Sequence, residues 1–219
     1  MRTAPAALLA CAVALILGFA VPAPAQVQIP ASQKPIQAGI DYRVIAPQPV
    51  QTPGSIEVID FFWYGCPYCN SLQPALERWI SRKPADVTVR RIPAVLRDSW
   101  APHARVYYTL EALGEVERLH QRAYYSYHVE ELAMSRAEAM SDWAVRNGIP
   151  RERWDTAYNS AAVQRKVEQA IELTRAYSVT GTPALVVDGR YLTSGNMSET
   201  LDGMIQVLDG LIYRVRATR

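Results

Sequence analysis

The chain carries only three cysteines and three histidines in 219 residues, and that scarcity excludes several classes at once. Three cysteines cannot build the dense disulfide framework of a small secreted scaffold. A structural zinc site needs two ligands beyond one close cysteine pair, and His103, His120 and His128 show no supporting spacing. Charge of one sign is missing as well: 23 Lys+Arg stand against 21 Asp+Glu. That balance gives no electrostatic case for nucleic acid or an anionic membrane surface. Apart from Leu8 to Val21 the chain has no long apolar run, and this one is short for a bilayer-spanning helix. There is no internal repeat and no low-complexity tract.

What is present at the N-terminus reads as an export signal of the Sec type. Arg2 opens a short positive region, Leu8 to Val21 forms the apolar core, and Ala23-Pro24-Ala25 offers a small-x-small cleavage site. Residues 1–25 are therefore expected to be removed, and Pro22 and Pro24 do not resemble a stop-transfer flank. Cys11 lies inside the apolar run, which continues well past it; an apolar-segment cysteine is a simpler reading than a lipid-acylation site. About 194 residues remain after Ala25, ample for one large domain or a domain with an insertion. Export places the other two cysteines in an oxidising compartment, where a disulfide persists.

Those two are Cys66 and Cys69, in Cys66-Pro67-Tyr68-Cys69. The residues in front, Glu57 to Tyr64, are β-branched and aromatic without glycine or proline, which reads as a buried strand. Pro67 suits the first position of a helix, where its missing N-H costs nothing. The pair thus sits on a strand-to-helix turn, and free N-H groups of the helix start stabilise the first sulfur as a thiolate. Redox chemistry is the leading reading. A purely structural disulfide is the alternative, although so short a loop removes little unfolded-state entropy.

Along the rest of the chain, residues 26–39 form an extended lead and Tyr42 to Ala46 a short edge strand before Pro47-Gln48-Pro49. Ile56 to Phe62 is the first central strand and Val87 to Ile92 the next. Between them a helix from Pro67 carries Leu72, Leu76, Trp79 and Ile80 on one face, is expected to kink at Pro74, and ends before Pro84. Residues 101–177 read as an all-helical block with breaks at Gly114, around Ser135, at Gly148-Ile149-Pro150 and near Asn159. Ala184 to Val187, Asp188-Gly189 and Arg190 to Thr193 make a hairpin, and Met197 to about Val215 a closing amphipathic helix. The order describes a thioredoxin-like α/β fold, residues 40–100 and 178–219, with an inserted all-helical domain and a mixed sheet.

Asp60 to Cys69, read as DFFWYGCPYC, together with Val179-Thr180-Gly181-Thr182-Pro183-Ala184 downstream, resembles the DsbA family of bacterial periplasmic thiol:disulfide oxidoreductases. The resemblance covers nearly the whole chain after the signal. A CxxC alone is weak; the aromatic strand, the Gly-Thr-Pro loop 114 to 117 residues later, the helical stretch between and the export signal give it weight. The resemblance implies a periplasmic monomer that needs no bound cofactor, oxidises reduced, unfolded exported proteins, and is reoxidised by a DsbB-like membrane quinone-linked oxidase. Cys66 is then the exposed sulfur that forms the mixed disulfide, and Cys69 the buried partner that closes or reopens the ring. Thr182-Pro183 resembles the cis-proline loop that pairs with substrate backbone. Asp60, in an otherwise apolar strand, stands where the family carries a buried acid that relays the proton of Cys69, with Arg91 as its counter-charge. A solvated strand-end aspartate is the competing assignment.

Two residues depart from the family pattern. Tyr68 stands where histidine is usual, and a phenol supplies no positive charge to a thiolate; Thr182 stands where oxidases often carry valine. Both keep a disulfide isomerase or sulfenic-acid reductant of the DsbG/DsbC type in view, against which the short lead before Cys66 leaves no room for a separate dimerisation domain. A periplasmic chaperone with a structural disulfide is the non-enzyme alternative. Trp63, Tyr64 and the Pro183 loop are candidates for a shallow apolar groove or for core. Tyr124, Tyr125, Tyr127, Trp143 and Trp154 read as helix-packing residues.

Overall fold

A computed structural model describes residues 35–219; the expected signal peptide, its cleavage site near Ala25 and the start of the lead lie outside the described residues. Five strands form one mixed sheet: β1 (Arg43–Val44), β2 (Ile56–Phe62), β3 (Val87–Pro93), β4 (Ala184–Val187) and β5 (Tyr191–Ser194), in the order β1-β5-β4-β2-β3. β2 and β3 run parallel and all other pairs antiparallel. α1 (Pro67–Arg82) makes the crossover that the parallel pair requires. Every residue of β2 is buried, as expected of a central strand covered on both faces.

The pleat of β2 divides its side chains between two cores. Ile56 and Val58 join Leu72, Leu76 and Trp79 of α1 and the apolar face of α7 (Leu201–Ala217). Ile59 and Phe61 face the helical block: α2 (Ala101–Leu113), α3 (Val116–His128), α4 (Ala137–Arg146), α5 (Arg151–Tyr158) and α6 (Ala161–Ala176). Gly114 ends α2 in the left-handed conformation, and Trp143 donates its indole N-H to Ser126 Oγ at 2.8 Å, tying α4 to α3. Trp143, Trp154 and Tyr124 are fully buried, whereas Tyr125, expected to pack, is exposed and holds Arg122 over its ring at 5.1 Å.

The Asp188-Gly189 turn has φ of +53° and +65°, the two positive values of a type I′ hairpin. Gly189 also lies so close to Gln48 that a Cβ would stand 2.3 Å from its carbonyl oxygen. Two expectations shift in detail. β1 keeps only two paired residues, because the backbone of Ile45 and Gln48 bonds to Arg190 and Gly189 at the hairpin turn rather than along the ladder. The last helix starts at Leu201 instead of Met197: Gly195–Met197 is a single tight turn, Ser198 is extended, and Thr200 Oγ1 caps the helix from Gly203 N-H at 2.9 Å.

Candidate functional site

Cys66 is the N-cap of α1, with Pro67 at the first helical position. Its Sγ accepts the Cys69 backbone N-H at 3.3 Å, the role that Ser or Asp oxygens play at ordinary caps. Its own N-H donates to Trp63 O at 3.0 Å, which fixes the turn leaving β2. On the other side the thiol donates to Thr182 O at 3.3 Å, and Thr182-Pro183 is a cis peptide. The sheet register brings this loop to the dithiol: Ala184, next after Pro183, pairs with Phe61 of β2.

Both cysteines are free thiols. Cys69 is 0% exposed and Cys66 only 5%, so the expectation of an exposed attacking sulfur is corrected: the Thr182 carbonyl and the turn cover most of Cys66. The two still differ sharply in acidity. The Cys66 thiol is lowered from 9.0 to about 6, first by the hydrogen bond from the Cys69 thiol, then by Thr182 and the N-H groups of Cys69 and Tyr68, against the opposing effect of burial. The Cys69 thiol is pushed well above its usual range by burial and by the Cys66 sulfur beside it. Between them, one sulfur is a thiolate at neutral pH and the other a sealed thiol.

Tyr68, between the cysteines, is 69% exposed and points away from the buried chemistry. Thr182 offers its backbone oxygen to the Cys66 thiol, a group any residue supplies, while its side chain helps to lower the Cys66 thiol, which a valine could not do.

Asp60 is in the middle of β2 and 0% exposed, which rules out the solvated strand-end assignment. Burial pushes its carboxyl up to about 7; Arg91 pulls down, Glu77 up, and the nearby Gln73 amide weakly down. Arg91 is its register partner on β3. Its guanidinium nevertheless makes its ion pairs with Glu77 at 2.5 Å and Glu117 at 3.6 Å, and neither Asp60 oxygen has a partner in hydrogen-bonding geometry. The expected counter-charge is therefore shared outward, and burial leaves Asp60 about half protonated at neutral pH.

Sequence reasoning did not find two histidines of α3. His120 Nδ1 meets the Tyr64 hydroxyl at 2.9 Å and His128 Nε2 meets the Tyr64 carbonyl at 2.8 Å. They stand eight residues apart, on one helical face, and they grip the residue that precedes Gly65-Cys66. Only that spacing could have hinted at it; nothing named Tyr64 as their target. Tyr64 is core and not groove, packed edge-on to Phe62 and Tyr124. Among the described residues no group of His, Cys, Asp and Glu could hold a metal ion.

A dithiol at a helix start, facing a cis-proline loop across a mixed sheet, defines a dithiol–disulfide oxidoreductase of thioredoxin fold. Comparison with known proteins narrows the class. Residues 57–206 match the DSBA-like thioredoxin domain. The thiol:disulfide interchange protein DsbA of Burkholderia cepacia is 34% identical over 181 residues, spanning 82% of this chain and 85% of that protein. The protein of the same name from Pseudomonas aeruginosa is 36% identical over 185 residues, spanning 82% and 86%. The crystal structure of Pseudomonas aeruginosa DsbA superimposes with a TM-score of 0.80 at 34% identity, covering 84% of this chain and 96% of that one. The DsbA structure from Xylella fastidiosa gives 0.78 at 26% identity, covering 84% and 100%. The chain belongs to the DsbA family.

Proposed function

We propose that this protein is a thiol:disulfide oxidoreductase that works as an oxidase on newly exported proteins, donating its Cys66-Cys69 disulfide to them. The observation that carries the reading is the inequality of the two thiols, about 6 for Cys66 against a strongly raised Cys69. A client thiolate attacks Cys66 Sγ of the disulfide, forming a client–Cys66 bond and expelling Cys69 as a thiolate. Asp60, about half protonated at neutral pH, supplies in its protonated form the proton that the buried Cys69 sulfur requires. A second client thiolate then attacks the client sulfur, and Cys66 leaves as a stabilised thiolate. Two client thiols are oxidised and one protein disulfide is reduced. The Thr182-Pro183 loop holds the client backbone beside Cys66.

Reoxidation closes the cycle, and family membership supports a DsbB-like membrane quinone-linked oxidase as the acceptor of the two electrons. The same membership, with the signal expected over residues 1–25, supports the periplasm as the working compartment. Tyr68 and Thr182 are the residues that favour the isomerase alternative, yet neither side chain contacts the sulfurs in a way that weakens the Cys66 thiolate. The test is direct. Oxidised protein mixed with a reduced, unfolded protein should insert disulfides stoichiometrically, and titration against glutathione should give a couple more oxidising than glutathione. If it inserts none but rapidly reshuffles scrambled disulfides, the isomerase reading replaces this one.

A further inference from the structure

A second recess borders the active-site turn and shares no lining residue with the one under the Thr182-Pro183 loop. It is open to solvent, holds about 650 Å³, and is walled by Trp63, Trp100, His103, Tyr127 and Met134, with Arg97 at its rim. Trp63 and Trp100 stack face to face, centroids 4.0 Å apart and 3° from parallel, and the Arg97 guanidinium caps Trp100 at 5.7 Å. The His103 ring lies 5.5 Å from Trp63 and 5.0 Å from Tyr127. Burial lowers the His103 imidazole to about 4, so that ring is uncharged at neutral pH, and the charged groups of the lining are Arg97 and Glu131. None of these side chains takes part in the sulfur chemistry.

The recess is nonetheless joined to it. Trp63 O receives the Cys66 N-H, and the Trp63 indole covers Gly65 so closely that a Cβ there would stand 2.2 Å from its ring. Cys66 itself lines neither recess but lies three residues beyond Trp63, so a peptide bonded to Cys66 through sulfur reaches this recess within a few extended residues of roughly 3.4 Å each.

We propose that the recess is a subsite for an aromatic side chain of the client, placed one to three residues from the cysteine that attacks Cys66. The proposal rests on the oxidoreductase reading above and adds a selectivity to it. Its volume lies within the roughly 300–1,000 Å³ of sites that bind small organic groups. Indole, phenol and imidazole walls offer the stacked and edge-to-face contacts that aromatic rings prefer, and Arg97 adds a cation over the same surface. The occupant is a client side chain and not a free metabolite, because the mixed disulfide holds the client at the turn that borders the recess while the reaction proceeds.

The experiment uses the oxidised full chain and reduced two-cysteine peptides that carry Trp, Phe or Ser near the first cysteine. Trp and Phe peptides should be oxidised roughly tenfold faster than the Ser peptide at subsaturating concentration, the size of effect a partly buried aromatic group gives. Ser135→Trp, an exposed residue on the recess wall, fills the space from outside; it should erase the preference while the rate with dithiothreitol stays unchanged. Equal rates for the three peptides, or a preference that survives Ser135→Trp, would overturn the subsite. Failure of dithiothreitol and of every peptide to reduce the protein would instead remove the oxidoreductase reading beneath it.

Discussion

A thiol at about 6 beside one far above its usual range dictates how the couple responds to pH. Below 6 reduction takes up two protons with two electrons, and the potential falls by about 59 mV per pH unit; above 6 Cys66 stays a thiolate, one proton is taken up, and the slope halves to about 30 mV. Because the folded-state value is depressed, the stabilisation of the reduced form is complete above pH 9 and is lost as pH falls through 6. At pH 7 the thiolate outnumbers the thiol roughly tenfold, which amounts to about 1.4 kcal/mol, or some 30 mV toward the oxidising side. Glutathione titrations from pH 5 to 8 should show the break in slope, and iodoacetamide should label Cys66 much faster than Cys69 at pH 6. A single slope with equal labelling would remove the asymmetry. Asp60 runs the other way. Its folded value is raised, so its contribution to stability is full below pH 3.8 and disappears as pH rises through about 7. Asp60→Asn should therefore match the parent at pH 4 in urea unfolding and exceed it at pH 8 by a few kcal/mol, about 4 at most. The same variant should slow both release of mixed disulfides and reoxidation if Asp60 carries the Cys69 proton; unchanged kinetics from pH 5 to 8 would leave it a structural residue.

The turn from β2 into α1 depends on room more than on backbone freedom. Gly65 does not occupy the left-handed region; what an added methyl would meet is the Trp63 ring, at 2.2 to 2.6 Å. Gly65→Ala must push that indole out of its stack with Trp100, a strain on the order of 1–3 kcal/mol, while the far larger cores on both faces of the sheet keep the fold. The expected outcome is a native far-UV spectrum, a changed near-UV spectrum and slower thiol exchange; an unchanged near-UV spectrum would mean the stack does not depend on Gly65. This requirement was invisible in the sequence, where Gly65 read only as part of a motif. The strand before it and the helix after it were legible because they depend on local pattern: β-branched and aromatic residues from Ile56 to Phe62, a proline at the helix start, apolar residues at helical spacing. Contacts that close the turn from outside, such as His120 and His128 on Tyr64, span 56 and 64 residues and leave no local trace. The start of α7 was misplaced for a related reason, since Gly195–Met197 forms a tight turn under the Pro183 loop, with Gly195 N-H bonded to Pro183 O at 3.1 Å.

At the scale of the molecule, the thioredoxin-like plan was legible because the order of strands and helices admits few topologies once β2 and β3 are parallel. The division of β2 between two cores was not, since a strand buried on both faces reads as one continuous apolar run. That division governs how the protein comes apart. Ile59 and Phe61 belong to the core shared with the helical block, Ile56 and Val58 to the core under α1 and α7, and β4 beside β2 is divided in the same way, Ala184 and Val186 in the first core and Leu185 and Val187 in the second. Unfolding one core strips a face of the strand that the other core needs, so the two should be lost together, as in other cooperative single units. The five tryptophans report both sides: Trp79 lies in the α1–α7 core, Trp143 and Trp154 in the helical one. With 5-fluorotryptophan incorporated, fluorine NMR through a urea titration should show all three resonances disappearing at one midpoint. Should Trp143 and Trp154 be lost at lower urea than Trp79, the helical block unfolds on its own and β2 does not couple the two cores.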